Sequence, residues 1–206
     1  GKVLVPTREA VEKLNAAHLR EHPENSELQA RISNYEMAAR MQTSVTEALD
    51  LAQESAETKK LYGLDHANSA TANYAKRCLM ARRLVEQGVR FVQIYLSGQP
   101  WDTHDKNAEK LKDLCLMTDQ PSAALVLDLK QRGLFQDTLI VGATEFGRTP
   151  AIQTANENTA GVVNGRDHNV TGFSIWLAGG GIKGGMSYGA TDDFGFKAVE
   201  KKVHIH

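Results

Sequence analysis

Apolar residues recur at helical spacing over residues 1–88, so this part of the chain is predicted to be mainly helical. A first helix is expected to run to about Glu21, before a break at residues 22–25. Ser26 is the expected N-cap of a long second helix. That helix carries a row of side chains at helical spacing, Leu28, Ile32, Tyr35, Ala39 and Gln42, with Met37 and Met41 beside it. We interpret the row as a packing face rather than a methionine-rich surface for a partner.

A third helix is predicted from about Ser69 to Gln87, with Gly88 at its C-terminal end. It carries three arginines, which we interpret as a solvated or packing face: Arg77, Arg82 and Arg83.

Strand-like and helix-like segments alternate after the third helix. Arg90–Leu96 is predicted to be a strand, and residues 138–143 form an apolar run typical of a strand covered on both faces. Between them lies a helical stretch of about residues 106–132, which Pro121 is expected to kink or split. The last clear strand covers Phe173–Ala178. Strand, helix and strand in succession predict a parallel pair with a right-handed crossover.

The predicted fold class is therefore α/β, with a mostly parallel sheet and flanking helices. The chain begins without Met and stops inside an alternating apolar pattern, so we interpret residues 1–206 as a single partial domain. Residues 1–88 form its helical segment, and residues 89–206 form its α/β half.

Composition narrows the classes of function. The formal net charge is −1, whereas a general nucleic-acid binder normally carries a basic excess. No apolar run approaches the roughly 20 residues that span a bilayer, and no signal peptide is visible. Cys78 and Cys115 have no metal-ligand spacing, so we expect two buried structural thiols rather than a disulfide.

The loop after the first predicted strand contains Asp102 and His104. Ligands of open α/β sheets gather beyond the carboxyl ends of strands. If the backbone is extended, residues i and i+2 point the same way, and a carboxylate beside an imidazole makes half of a divalent-metal site. The alternative is that Asp102 caps the following helix and His104 is merely exposed.

The loop after the second predicted strand contains Glu145 and Arg148. A carboxylate at the end of a buried strand needs solvent or a cation. Arg148 is a candidate partner in a structural ion pair. It is equally a candidate to bind an anionic substrate group, because its guanidinium matches phosphate or sulfate oxygens.

A third group, Asp167 and His168, precedes its strand. It reaches the same sheet edge only if Phe173–Ala178 runs antiparallel to the other strands; otherwise it is an exposed turn with a solvated histidine. Convergence of the three acid-bearing loops predicts a metal centre. We expect the glycine run at 179–185 to be a turn rather than a phosphate cradle, because no P-loop pattern is present.

The remaining histidines give weaker signals. His18 and His22 are expected to be surface residues, whereas His204 and His206 alternate like one face of a strand.

Four blocks of sequence together resemble the domain-of-unknown-function family 1501 (DUF1501), which is abundant in planctomycete-type bacteria. They are GQPWDTH at 98–104, EFGRTP at 145–150, GRDH at 165–168 and LAGGGIKGG at 177–185. The helical segment YEMAARMQ at 35–42 also looks like that family. The resemblance extends over essentially the whole chain and places it in the alkaline phosphatase and sulfatase superfamily.

The resemblance implies roles for individual residues. Asp102 and His104 resemble the pair that binds one metal ion, and His168 resembles the late histidine ligand. Glu145 stands where the superfamily usually has the Asp of an Asp-His pair, and Asp167 resembles a ligand or an orienting residue. Arg148 would hold non-bridging substrate oxygens. Phe146 departs from the pattern, because it replaces the histidine of that pair.

The function implied by this resemblance is metal-dependent hydrolysis of phosphate or sulfate esters, on small molecules or polysaccharides, with zinc, calcium or manganese. The nucleophile would lie before Gly1, so this segment alone is expected to be inactive. The resemblance also implies export to the periplasm or cell envelope. The alternatives are a non-catalytic binding or structural protein with the same fold, and a helical interaction module. The sequence does not determine the oligomeric state.

Overall fold

The computed structural model describes residues 4–153 and 164–204, with side chains described in residues 9–38, 49–153 and 164–204. The chain divides into two compact units, Gly1–Asp50 and Leu51–His206. Some predicted features lie outside the described side chains or residues: Ala39, Met41, Gln42, His206 and most of the polar stretch after Gln153.

The first unit contains two helices, α1 (Leu4–Glu21) and α2 (Ser26–Leu49). The carboxamide oxygen of Asn25 accepts a hydrogen bond from the Leu28 amide at 2.9 Å, so Asn25 caps α2 and the prediction of Ser26 was one residue late. Ile32 on α2 is buried, whereas the nearby Tyr35 and Met37 are exposed. The predicted packing face is therefore only partly covered.

Side-chain caps mark where two helices of the second unit begin, and a glycine marks where one of them ends. The Ser55 hydroxyl accepts from the Thr58 amide, and the Asn68 carboxamide accepts from the Ala70 amide. Gly63 ends a helix with φ of +80°. The elements are a 3₁₀ turn (Leu51–Gln53), α3 (Ala56–Tyr62), α4 (Ser69–Glu86) and α5 (Asn107–Gln131).

The three α-helices of this unit enclose its core. One buried cluster contains Tyr62 of α3, Leu79 of α4 and Ala124 of α5, together with Ala75 and Cys78. Among the described residues no helix is long and apolar enough to cross a membrane.

A buried ion-pair network centred on Arg82 also joins α4 and α5. Arg82 is 1% exposed, its Nε lies 2.8 Å from Asp128 Oδ2, and its Nη2 lies 2.7 Å from Glu54 Oε1. The Tyr62 hydroxyl donates to the same Asp128 carboxylate at 3.0 Å. Arg82 is therefore a buried, paired residue, which agrees with the packing alternative for this arginine and not with the solvated one.

Two other sequence predictions on α4 and α5 need correction. Pro121 does not split the predicted helix, because α5 continues through it and buries the proline against the core side. Cys78 is buried as expected, but Cys115 is exposed. Cys115 follows the buried Leu114, and one residue rotates a side chain by about 100° around a helix.

The described strands form three antiparallel pairs. Strand β1 pairs with β4, β2 pairs with β3, and β5 pairs with β6. Their bounds are β1 (Leu139–Gly142), β2 (Gly147–Gln153), β3 (Gly165–Asn169), β4 (Trp176–Gly179), β5 (Ala190–Thr191) and β6 (Ala198–Glu200). The mixed α/β class is confirmed, but residues 4–153 and 164–204 contain no parallel sheet.

Residues 90–96 explain part of this difference. Val92, Ile94 and Leu96 are half-buried and alternate with exposed residues, so the predicted two-residue periodicity is present. The segment nevertheless makes no strand ladder within the described part of the chain. Likewise, β1 is covered on one face only, since Leu139 and Val141 are about half exposed. An apolar run predicts extended backbone but specifies neither its partner nor its direction.

Candidate metal centre

Asp102 and His104 lie in a loop made of successive tight turns before α5. The Asp102 amide donates to the Gln99 carbonyl at 3.0 Å, and the His104 amide donates to the Asp102 carbonyl at 3.1 Å. The loop is therefore not extended, so the condition under which the i, i+2 spacing would point both side chains the same way is not met. Helix α5 has no side-chain cap, so Asp102 does not cap it.

The β2–β3 pair supplies the other side chains of the site. In its register Arg148 lies opposite His168, and Gln153 lies opposite Gly165. The register shifts between Arg148 and Ile152, where Pro150 stands, because proline cannot donate to a ladder and is tolerated at a bulge. Both segments were predicted to be loops, since neither has the apolar alternation of a half-buried strand. Strand β4 runs antiparallel to β1, which meets the condition set for the third group only in part, because residues 90–96 form no strand ladder.

Gly165 brings β3 into close contact with the Asp102 loop. A Cβ at this position would lie 2.0 Å from the carbonyl carbon and oxygen of His104. The neighbouring Arg166 amide donates to the Thr103 carbonyl at 3.0 Å, and Thr103 is buried. The loop and the strand are therefore joined backbone to backbone, which only glycine permits at this distance.

Three ligand-type atoms meet where this loop faces β3. Asp102 Oδ1 lies 3.0 Å from His104 Nε2 and 3.0 Å from His168 Nε2. The two imidazole nitrogens are 3.1 Å apart. The atoms thus form a nearly equilateral triangle, and each side chain is between 32% and 39% exposed, so solvent reaches it. We call these three residues the metal triad.

Arg148 holds the carboxylate of the triad in its charged form. Its Nη2 donates to Asp102 Oδ1 and, at 3.1 Å, to the Trp101 carbonyl, while Nη1 donates to the Arg166 carbonyl at 3.0 Å. The hydrogen bond from Arg148, followed by that from His168, lowers the pKa of Asp102 to about 2. Three of the five N–H donors of Arg148 are thus bonded to the protein itself. Its partner is Asp102 rather than Glu145.

Gln153 contacts the imidazole of His104. Its Oε1 lies 2.8 Å from His104 Nδ1, and this contact favours the tautomer with the proton on Nδ1, because an amide oxygen can only accept a hydrogen bond. In the neutral ring, the Nε2 lone pair then faces the Asp102 oxygen and the His168 ring. Gln153 was not among the predicted site residues, because a neutral amide at the start of a polar stretch has no distinctive chemistry or spacing.

His168 stacks against Phe146, with ring centroids 4.0 Å apart and an interplanar angle of 25°. The aromatic ring covers one face of the imidazole and restricts its orientation. Phe146 therefore supports a triad residue from the position where the resemblance implies a histidine ligand.

Two residues predicted as metal ligands lie outside the triad. Glu145 is exposed in a bend, one residue before Phe146. Asp167 is also exposed, and its carboxylate accepts a hydrogen bond from the His168 amide at 2.8 Å. Successive residues of a strand point to opposite faces, so Asp167 and His168 do not face the same point. The structure brings together Asp102, His104 and His168 and leaves the other two apart.

The spacing of the triad fits a divalent ion. Donors bound at about 2.1 Å are separated by about 3.0 Å when they are 90° apart, and by about 3.4 Å in a tetrahedron. The observed separations of 3.0 to 3.1 Å match the first value. Without a cation, the His104 lone pair would face a carboxylate oxygen, which is repulsive. The donor set therefore suits either a proton or a metal ion at its centre.

Comparison with known proteins places the chain in a family. The family model described as "Protein of unknown function (DUF1501)" matches residues 5–206. The chain belongs to the DUF1501 family. No curated protein and no solved structure shows significant similarity to it. The match confirms the DUF1501 resemblance. The residues of the metal triad lie in two of the four sequence blocks on which this resemblance rests, 98–104 and 165–168.

Proposed function

We propose that this chain supplies the metal-binding part of a metal-dependent hydrolase that acts on phosphate or sulfate esters. The observation that carries the proposal is the convergence of Asp102, His104 and His168, whose donor atoms lie within 3.0 to 3.1 Å of one another. His168 is 66 residues from Asp102 in the chain, so the tertiary fold creates this contact. The resemblance to the alkaline phosphatase and sulfatase superfamily supports this reaction class. On the same resemblance, the proposal includes an alkaline phosphatase-like fold and export of the protein.

The ligand chemistry narrows the choice of metal. Calcium takes oxygen ligands almost exclusively, whereas imidazole suits zinc and other transition metals. A triad of two imidazoles and one carboxylate therefore favours zinc or manganese over calcium. An ion held by these three residues would supply Lewis-acid chemistry, polarising an ester oxygen and lowering the pKa of a water molecule.

The protein's own residues would prepare this site. Asp102 stays ionised, because Arg148 and His168 hold its pKa at about 2. Gln153 keeps the Nε2 lone pair of His104 directed inward. Phe146 fixes the ring plane of His168. Arg148 is mainly occupied in positioning the Asp102 loop, and its remaining N–H donors are the ones left for substrate oxygens.

Metal titration of the triad variants is the decisive test. Isothermal titration calorimetry with zinc or manganese should show a metal equivalent that is lost in Asp102→Asn, His104→Asn or His168→Asn. Glu145→Gln and Asp167→Asn are matched controls, since both carboxylates are exposed and outside the triad. Both should retain the wild-type affinity. An unchanged number of bound metal ions in all three triad variants would overturn the proposed centre.

The proposed reaction class, hydrolysis of phosphate or sulfate esters, is tested by a separate assay. Aryl phosphate and aryl sulfate esters, offered with the preferred metal to the full-length protein that contains this sequence, separate the two substrate classes. Turnover of either ester should disappear in His168→Asn. Metal binding without any ester hydrolysis would reject the hydrolase and leave the metal centre standing.

One observation favours a non-catalytic binding protein as the second candidate. Phe146 occupies the place of a ligand in the superfamily pattern and stacks on His168 instead of coordinating a second metal. The substitution Phe146→His tests this reading. If the missing ligand at position 146 is all that prevents a second metal ion from binding beside the triad, the variant should bind one more metal equivalent there.

A further inference from the structure

A second group of metal-ligating side chains lies at the end of α1, in the first unit. His18, Glu21 and His22 are all exposed, and one ligand atom from each lies within 4.8 Å of the other two. The two imidazole centroids are 4.6 Å apart, with an interplanar angle of 65°. None of these residues belongs to the metal triad, so the group is independent of the proposed function.

The backbone brings these side chains together. The His22 amide donates to the His18 carbonyl at 3.1 Å, which closes the last turn of the helix between the two histidines. Residues at i, i+3 and i+4 lie on one face of a helix, whereas residues two apart do not face each other. His18, Glu21 and His22 therefore share a face that the intervening Arg20 does not.

The electrostatic surroundings favour a cation. The carboxyl end of a helix carries a partial negative charge, equivalent to about half an elementary charge. Glu24 and Glu27 follow within six residues of Glu21, and residues 21–27 line a shallow depression beside the histidines. The exposed pair of Glu27 with Arg31 neutralises only one of these three carboxylates.

We propose that His18, Glu21 and His22 form a second metal site, for a borderline divalent transition-metal ion such as zinc. Two imidazoles and a carboxylate suit zinc, copper or nickel rather than magnesium. Three protein donors leave a fourth position of a tetrahedral ion for water or another ligand. All three side chains are exposed, so ordinary rotamer changes would bring their ligand atoms from within 4.8 Å of one another to bonding geometry around an ion.

Counting zinc equivalents on the whole 206-residue chain tests this site. Competition with a chromophoric zinc chelator at pH 7.5 should find two equivalents in the wild type. The double variant His18→Asn/His22→Asn should bind one equivalent. Glu21→Gln should weaken the binding of the equivalent that this double variant loses. His66→Asn removes another exposed imidazole from the second unit and should leave both equivalents in place.

A double variant of the metal triad distinguishes the α1 site from the site in the proposed function. Asp102→Asn/His168→Asn should remove the other equivalent and keep the one at α1. If the metal triad binds nothing, the wild type should show a single equivalent that only the α1 variants abolish. Unchanged zinc stoichiometry and affinity in His18→Asn/His22→Asn would overturn the α1 site, and circular dichroism would confirm that the variant retains its helices.

Discussion

At the scale of single residues, the candidate centre depends on side chains that are not ligands themselves. Gln153, Arg148 and Phe146 each contact one member of the triad, at His104, Asp102 and His168 respectively. Outer partners of this kind orient the ligands and select their protonation state. Their substitution should therefore change metal affinity without removing a donor.

Gln153→Ala is the cleanest variant of this type. Without the acceptor at 2.8 Å, the proton of His104 is free to move to Nε2 and block the donor position. We expect metal affinity at the triad to fall about 10- to 100-fold, as for other outer-shell losses. Gln153→Glu keeps an acceptor oxygen and should restore most of the affinity. Calorimetry would compare both with Gln93→Ala, a control at an exposed glutamine; equal affinity in all four proteins would contradict the role of Gln153.

Gly165→Ala tests the close approach of loop and strand. The new methyl group would meet the His104 backbone at 2.0 Å, so one of the two segments must move. Overpacking of this kind typically costs about 1–3 kcal/mol. We expect lower stability in urea and loss of zinc binding at the triad. Gly184→Ala is the control, because its Cβ would meet nothing within 4 Å. A Gly165→Ala protein with normal zinc binding would show that the contact does not position the triad.

The triad could be predicted from sequence because each ligand belongs to a residue type that is chemically conspicuous. Which of the predicted carboxylates lies beside the histidines could not be predicted from the sequence. Asp167 and His168 are adjacent in the chain, and whether they face one point depends on whether the backbone is a turn or a strand. Similarly, the partner of Arg148 is Asp102, 46 residues away, and sequence proximity favoured Glu145.

At the scale of elements, prediction succeeded where the deciding interactions are local. The end of α1 and both ends of α4 and α5 were predicted within one or two residues, because the periodicity that marks these helices lies inside each segment. Strands β2 and β3 were missed, since their pairing depends on each other and their residues are mostly polar. Short α3 was missed as well; its seven residues show little periodicity.

The contact between α4 and α5 gives an element-scale prediction. Arg82→Met removes a buried cation and leaves Glu54 and Asp128 with fewer partners. Breaking a buried pair from one side costs about 3–5 kcal/mol, and we expect a loss of about 3 kcal/mol in the free energy of unfolding by urea. Arg31→Met is the matched control at an exposed pair and should change stability by less than about 1 kcal/mol.

The pH dependence of this variant follows from Glu54. Burial by itself raises the pKa of Glu54, but hydrogen bonds from Arg83 and Arg82 outweigh it and hold the pKa below 4.5. A carboxyl group with a lowered pKa in the folded state stabilises the fold above its unfolded pKa, and the effect disappears as pH falls through the folded value. The stability difference between wild type and Arg82→Met should therefore shrink below pH 4.5. A difference that is constant down to pH 3 would show that Arg82 acts through packing alone.

At the scale of the whole molecule, the division into two units separates the two candidate metal sites. The metal triad and the helical core lie in Leu51–His206, and the α1 group lies in Gly1–Asp50. A protein consisting of residues 51–206 should consequently keep its fold and the triad, and should bind one zinc equivalent where the full chain binds two.

The two cysteines report on whether this shortened protein is folded. Burial raises the pKa of the Cys78 thiol to about 12, so almost no thiolate is present at pH 8, whereas Cys115 is exposed. A thiol-specific chromogenic disulfide should react with one thiol in the full chain and with one in residues 51–206, and with two after unfolding in guanidinium. Cys115→Ala should leave none reactive in the folded state. If both thiols of the shortened protein react without denaturant, its core depends on residues 1–50, and the loss of any zinc equivalent would then follow from unfolding rather than from the removal of His18 and His22.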